Sequence, residues 1–246
     1  MQMTPTEKGF EILSWDSDVF GFPVARVSAA DHRSDLVNIL QDARRNGVRL
    51  AYLLTEDDRV ARAASDAGGT MVSERVTFVR PLTSADAQRE SPPGDAGVVE
   101  KWPGTAPTPE FLELAREAGL HSRFRIDPGI PAGVFERIYD AWITNSLNRT
   151  IADEVLVTRE NSSITGLVTV GEKGGRADIG LLAVGKGARG RGLGRALVEA
   201  ALSWGVARKC GEAQVVTQRE NVAACRLYES CGYRVERGER VFHFWL

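Results

Sequence analysis

Along the first eighty residues, short apolar runs alternate with amphipathic stretches, the pattern of a small α/β unit. Phe10 to Trp15 and Val24 to Ser28 read as strands. Between Ser34 and Asn46, Leu36, Ile39 and Leu40 form one stripe at helical spacing, and Gly47 supplies the stop before a strand over Arg49 to Leu54. A second helix over Asp57 to Ala67 ends at Gly68-Gly69. Thr70 to Arg80 then alternates as a long strand, with Met71, Val72, Val76, Phe78 and Val79 as its apolar positions.

From Pro81 to Pro109 the pattern breaks. Ser91-Pro92-Pro93-Gly94, Pro103-Gly104, Pro107 and Pro109 interrupt regular structure, with room for one short strand over Gly97 to Lys101. We place a boundary near Ser91, giving an N-terminal α/β domain over 1–90, a linker over 91–109 and a second domain over 110–246. That domain opens with a helix after Thr108-Pro109-Glu110, where threonine can cap and proline can occupy the first turn. A loop from His121 to Pro128 leads to a helix over Pro131 to Asn148. Three strands in meander order are expected next, over Glu154 to Arg159, Ser163 to Gly171 and Arg176 to Val184. The pattern closes with a helix (Leu193 to Arg208), a strand (Glu212 to Gln218), a helix (Val222 to Cys231) and two strands around Tyr233 to Val235 and Val241 to Trp245.

Composition narrows the classes. A chain of 246 residues with 43% hydrophobic and 26% charged positions can fold into two domains and is not a disordered polymer. Lysine plus arginine (31) nearly balances aspartate plus glutamate (33), so the basic surplus of a nucleic-acid binder is missing. Cys210, Cys225 and Cys231 show no metal-ligand spacing, and an odd number argues against a disulfide framework. His32, His121 and His243 are scattered, so no metal site is expected. Without an apolar signal core or a run of ~18 apolar residues, the expectation is a cytoplasmic protein that neither leaves the cell nor enters the membrane.

The clearest chemistry lies in Val184-Gly185-Lys186-Gly187-Ala188-Arg189-Gly190-Arg191-Gly192-Leu193-Gly194-Arg195, between an expected strand and a strong helix. Leu193, Leu197, Val198, Ala201, Leu202 and Gly205 form the stripe that docks this helix and fixes its N-terminus beside the turn. Glycines 190, 192 and 194 let backbone amides face a ligand, and the helix start adds unpaired N–H groups and partial positive charge. Arg189, Arg191, Arg195 and Lys186 suit a ligand with several phosphates, although a flexible basic turn has the same composition. A dinucleotide fingerprint fails because Arg195 stands where its third glycine would be, and a Walker loop fails for want of Gly-Lys-Ser/Thr.

With the strand Leu182-Ala183-Val184 before it, the segment Arg189-Gly190-Arg191-Gly192-Leu193-Gly194 resembles the acetyl-CoA motif of the GNAT acyltransferase superfamily. Asn221-Val222-Ala223-Ala224-Cys225-Arg226-Leu227-Tyr228-Glu229-Ser230-Cys231-Gly232-Tyr233 resembles a second motif of that family. The resemblance implies a GNAT fold: an α/β (α+β) protein whose mixed central sheet contains a splayed parallel strand pair flanked by helices, here preceded by the smaller N-terminal α/β domain. It implies acetyl-CoA as co-substrate. Backbone groups of Leu182, Ala183 and Val184 would take the pantetheine and thioester, and an N–H near Val184 would polarise the acetyl carbonyl. Asn221 can cap its helix and also hold the coenzyme A arm. Tyr228, two turns on, can pack in the core, or act as the general acid that protonates the departing thiolate, the role the family gives that position. No histidine accompanies Cys225 or Cys231 as a covalent nucleophile would require.

A wider resemblance, through Trp15-Asp16-Ser17-Asp18-Val19-Phe20-Gly21-Phe22-Pro23, Ser122-Arg123-Phe124-Arg125 and Ile179-Gly180-Leu181-Leu182-Ala183, is to bacterial acetyltransferases of TDP-linked 4-amino-4,6-dideoxy sugars used in surface polysaccharides. It implies a small-molecule amine as partner, a nucleotide amino sugar, with room for a homodimer. Arg123, Phe124 and Arg125 would then meet the nucleotide diphosphate and sugar face, although a loop anchored by Phe124 reads equally well. The family's acidic base aligns with Ser73, one residue from Glu74, and a shift of one reverses the strand face. Glu74 is therefore the candidate base, against an ordinary solvated strand position, with Glu172 and Asp178 as alternatives. Other acceptors (an aminosugar antibiotic, an amino acid, a polyamine) and a silent acyl-CoA-binding module are the competing readings.

Overall fold

The computed structural model of the protein describes residues 9–28, 30–88 and 98–246. The boundary expected near Ser91 lies outside these residues. In chain order the elements are β1 (Phe10–Ile12), α1 (Ser14–Phe20), β2 (Val24–Val27), α2 (Arg33–Arg45), β3 (Leu50–Thr55), α3 (Asp58–Asp66), β4 (Thr70–Pro81) and β5 (Val99–Lys101). They continue with α4 (Pro109–Ala118), α5 (Arg123–Ile126), α6 (Val134–Leu147), β6 (Glu154–Glu160), β7 (Ser163–Lys173) and β8 (Arg176–Val184). The last four are α7 (Leu193–Ala207), β9 (Glu212–Gln218), α8 (Val222–Ser230) and β10 (Arg234–Trp245).

Two compact units emerge, and they are not consecutive in the chain. Unit 1 gathers Met1–Arg75, Ser122–Val134 and Arg237–Leu246; unit 2 gathers Val76–His121 and Phe135–Glu236. The chain passes from one to the other within β4 and again within β10.

In unit 1, β2 runs parallel to β3, while β1 and the second half of β10 are antiparallel to β2 and β3 respectively. One face of this sheet carries Ala25, Val27, Ala51, Leu53, Phe242 and Phe244, which pack with Leu36, Leu40 and Ala43 of α2 and Val60, Ala61 and Ala64 of α3. The register Leu50↔Trp245 to Thr55↔Arg240 makes the closing segment integral to this sheet. Two expectations are corrected here. The strand expected over Phe10 to Trp15 stops at Ile12, and Ser14–Phe20 is helical, closed by Gly21 in the left-handed conformation at φ +77°. Ser17 fixes that turn: its hydroxyl donates to Leu13 O (2.7 Å) and accepts from Val24 N (2.9 Å). The two closing strands are one, because Gly238 stays extended and β10 runs unbroken from Arg234 to Trp245.

In unit 2 the strand order is β4-β9-β8-β7-β6-β5, with the β5-β6-β7-β8 run antiparallel and β8 parallel to β9. This mixed sheet and its helices form the expected α/β architecture. The stripe on α7 is buried as expected: Leu197, Val198, Ala201, Leu202 and Gly205 join Val168, Val170, Ile179, Ala213 and Val215 of the sheet. Gly205 marks the closest approach, since a Cβ there would lie 2.7 Å from the Ala177 Cβ. Pro109 opens α4 as expected, but the Thr108 side chain donates to Glu110 instead of capping the backbone.

Candidate active site

The site in unit 2 starts from a defect in pairing. Across β7 and β8, Val170 faces Ile179 and Val168 faces Leu182, so Gly180 and Leu181 together stand opposite Thr169. Such a bulge bends its strand and re-aims the residues beyond it. The Thr169 hydroxyl holds it, accepting the buried Leu181 N–H at 2.8 Å. Gly180 leaves room for that hydroxyl, for a Cβ would lie 2.8 Å from it. On the other edge, β8 pairs with β9 only from Arg176↔Glu212 to Ile179↔Val215. Both strands run on, so Leu182, Ala183 and Val184 present an edge to which β9 is no longer paired.

Val184 leads straight into the glycine-rich turn. Gly185 N–H donates to Thr165 O (2.8 Å), and a short 3-10 turn, Lys186–Ala188, carries the chain to Arg189. Gly190 and Gly192 sit at φ +77° and +80°, where a residue with a Cβ pays roughly 1–2 kcal/mol. Gly192 is the N-cap of α7 and no side chain caps that end. The first-turn amides of Leu193, Gly194 and Arg195 therefore have no acceptor within the helix. Gly194 is close-packed, with Leu227 3.3 Å from where its Cβ would be. These features fit a pyrophosphate held by main-chain N–H groups at a helix start.

The basic side chains of the turn are engaged by partners not foreseen from sequence. Arg189 donates to Glu117 (2.6 Å) and to Val184 O (3.0 Å), and Lys186 lies 3.6 Å from the same glutamate. Arg191 donates to Glu160 (2.9 Å) and holds that carboxyl below the usual carboxylate range. Arg195 reaches the main-chain and side-chain oxygens of Ser230 at 3.1 and 3.2 Å. Exposed ion pairs of this kind are worth about 0.2–1 kcal/mol each, so incoming phosphates can displace them. Glu117 lies 72 residues from Arg189, which hides the pair from any local motif.

Asn221 caps α8 by accepting Ala224 N–H at 3.2 Å. Tyr228, on the same helix, is 4% exposed, its ring 6.0 Å from Phe78 and 5.8 Å from Tyr233. Its hydroxyl makes no hydrogen bond with another described residue. Burial pushes its phenol up, so it keeps its proton throughout the neutral range. Both readings of this residue are therefore compatible with its surroundings. Burial also pushes up the thiols of Cys210, Cys225 and Cys231, which leaves them protonated and poorly nucleophilic. Of the alternative bases, Asp178 accepts from Gln214 (2.8 Å) and Glu172 is exposed.

The remaining candidates fall in unit 1. Glu74 is half-buried on β4 beside the buried Ser73, and the alternation of the strand puts the two on opposite faces. The loop expected around Phe124 is the one-turn helix α5. Phe124 is its anchor, 5% exposed against Phe20 and Tyr52, which corrects the expectation that its ring offers an apolar face to a sugar. Arg125 is exposed, and Arg123 lies over the Tyr52 ring at 4.4 Å. Among the described residues no helix is long and apolar enough to cross a membrane, and no His, Cys, Asp and Glu cluster is arranged for a metal ion.

Residues 114–233, which hold the bulge, the parted strands and the glycine-rich turn, match the Acetyltransferase (GNAT) family. The chain carries a GNAT acetyltransferase domain. Over 235 residues it is 29% identical to a dTDP-fucosamine acetyltransferase of Escherichia coli O6:H1, covering 94% of this chain and 96% of that one. It is 27% identical to the spore coat polysaccharide biosynthesis protein SpsD of Bacillus subtilis, across 58% of this chain and 49% of the relative. A GCN5-related N-acetyltransferase from Sphaerobacter thermophilus shares the fold, with a TM-score of 0.60 at 16% identity over 96% of this chain and 75% of that one. The protein is an acyltransferase. Its GNAT domain contains the glycine turn, Asn221 and Tyr228 within unit 2.

Proposed function

We propose that the chain transfers an acetyl group from acetyl-CoA to the amine of a nucleotide-linked, TDP-type amino-deoxy sugar, by direct attack of the amine on the thioester. The observation that carries the acetyl-CoA half is the parting of β8 from β9 after Ile179↔Val215, at the end of which the chain enters the glycine-rich turn. The acceptor half is supported by likeness to the dTDP-fucosamine acetyltransferase across 94% of the chain.

Acetyl-CoA supplies the activated acetyl group. The amides of Gly190 to Arg195 hold its pyrophosphate, with Arg189 and Arg191 exchanging Glu117 and Glu160 for phosphate oxygens. The edge of Leu182, Ala183 and Val184 takes the pantetheine arm as an added strand would, and an N–H near Val184 stabilises negative charge on the carbonyl oxygen. Asn221 holds the arm while capping α8. Tyr228, protonated because it is buried, gives its proton to the departing sulfur. Glu74 accepts the ammonium proton, directly or through water. The N-terminal domain contributes the acceptor contacts, with Arg123 and Arg125 toward the diphosphate. The reaction belongs in the cytoplasm, where acetyl-CoA is made and used.

A thiol-release assay with acetyl-CoA tests this reading against TDP- and UDP-amino sugars, free aminosugars and polyamines. Turnover is expected with a TDP-amino sugar, and reaction with non-nucleotide amines alone would overturn the acceptor. Tyr228→Phe is expected to lower kcat by about 10²-fold or more while sparing acetyl-CoA binding; unchanged kcat would remove Tyr228 from the chemistry.

A further inference from the structure

The second face of the unit 1 sheet is polar where a core would be apolar. Parallel and antiparallel registers place Arg26 opposite Tyr52 and Tyr52 opposite His243, so three side chains form a row across β2, β3 and β10. Glu239 and Arg237 precede His243 along β10 at even spacing and share its face. The His243 ring lies 4.8 Å from that of Tyr52. Its Nδ1 is 2.6 Å from the Asp127 carboxylate, which also accepts from Trp245 Nε1 (3.1 Å) and Gly129 N (2.8 Å). Tyr52 is thus backed by a fixed network and is 1% exposed.

Positive charge gathers around this row. The Arg123 guanidinium lies 4.4 Å over the Tyr52 ring, and Arg75 and Arg237 each lie 3.7 Å from Glu239, too far for hydrogen bonds. Arg75 is pushed down by burial and, against the pull of Glu239, by the neighbouring charges of Arg237, Arg123 and Arg26. Asp16, in the first turn of α1, lies near Arg123 and Arg26, and burial pushes its carboxyl up. Asp127 is committed to His243 and Trp245, which leaves Asp16, Glu239 and Glu11, the last opposite Arg26 in the β1–β2 register, among the guanidiniums of Arg26, Arg75, Arg123 and Arg237. Two buried donors at this face, Tyr52 Oη and Arg123 Nε, have no hydrogen-bond partner among the described residues, with the Asp16 carboxyl and the Arg123 guanidinium beside the hydroxyl. Crowded like charges and unpaired buried donors both cost stability. An oxyanion would relieve both at once.

We propose that the face formed by Arg26, Tyr52 and Arg123 in unit 1 binds the phosphate or diphosphate group of the acceptor. The Tyr52 hydroxyl and Arg123 Nε–H donate to its oxygens, Arg26 approaches from the exposed edge, and Arg75 adds charge. The identity of the ligand rests on the acceptor reading proposed for the chain, whereas the anion site does not.

The test is calorimetric titration of inorganic pyrophosphate and of TDP into the full chain, with coenzyme A saturating the turn in unit 2. Both are expected to bind. Arg123→Gln should weaken both by about tenfold, and Tyr52→Phe and the exposed Arg26→Gln by about threefold each, with binding falling as salt rises. Absence of binding, or affinities unchanged in Arg26→Gln and Arg123→Gln, would overturn the site. Arginine-dependent pyrophosphate binding without acetylation of any nucleotide amino sugar would keep the site and sink the acceptor reading. A nucleotide sugar acetylated with unchanged KM by both arginine variants would do the reverse.

Discussion

Replacing Thr169 by valine keeps side-chain volume and deletes one hydroxyl, the only described acceptor for the Leu181 N–H at the β8 bulge. Thr169 is 1% exposed and Leu181 is buried, so water cannot take over the bond. An N–H left unpaired in such a place costs about 1–3 kcal/mol, which for a chain of this size lowers Tm by roughly 2–4 °C for each kcal/mol. The bulge aims Leu182, Ala183 and Val184, so part of the loss should appear in ligand binding. If half is felt there, coenzyme A binding weakens by roughly two- to twelvefold. Urea denaturation and calorimetric titration with coenzyme A measure the two effects, and Thr169→Ser, which keeps the hydroxyl, serves as the control. Wild-type midpoint and affinity in Thr169→Val would refute the reasoning, as would a serine variant whose coenzyme A affinity falls as far as that of valine.

Three further outcomes are expected. Gly192→Val puts a branched side chain at φ +80° on the α7 N-cap and should reduce coenzyme A affinity by about tenfold or more, measured by the same titration; retained affinity would remove the amide cradle. Glu117→Gln frees Arg189 and Lys186 from their ion pairs, so coenzyme A should bind up to about fivefold more tightly at low salt, with the gain fading at high salt. Alkaline pH should unfold the protein: burial raises Tyr228 and Tyr233 above the ordinary 10.0, so the stability they contribute is complete below pH 10 and is lost as pH rises beyond it. Tyrosinate absorbance should then grow in step with loss of circular dichroism above that pH, and titration of all tyrosines in the folded state would contradict this.

What the sequence disclosed was local. Gly190, Gly192 and Gly194 lie soon after the β8 end and at the head of a helix whose apolar stripe is continuous, so turn, helix and cradle come from one segment. Alternation hid other elements. Phe10 and Ile12 look like the start of a longer strand, and only Gly21, as a left-handed stop, signals the helix before it. Glu236-Arg237-Gly238-Glu239 reads as a turn because its side chains are polar, yet it is the middle of β10. The Arg26, Tyr52 and His243 row and the Arg189–Glu117 pair depend on registers and ion pairs between distant segments, which no pattern along the chain encodes. The division into units was hidden for the same reason.

The pairing of Leu50 with Trp245 also bears on how the protein is made. On the ribosome, β1, β2 and β3 emerge with α2 and α3 before unit 2, whereas the strand that carries Phe242 and Phe244 into their shared core follows it. Unit 1 must wait, its apolar face incomplete, while nearly all of unit 2 is translated. Removing the second half of β10 should therefore cripple unit 1 first, and the nascent protein should depend on chaperones through this interval.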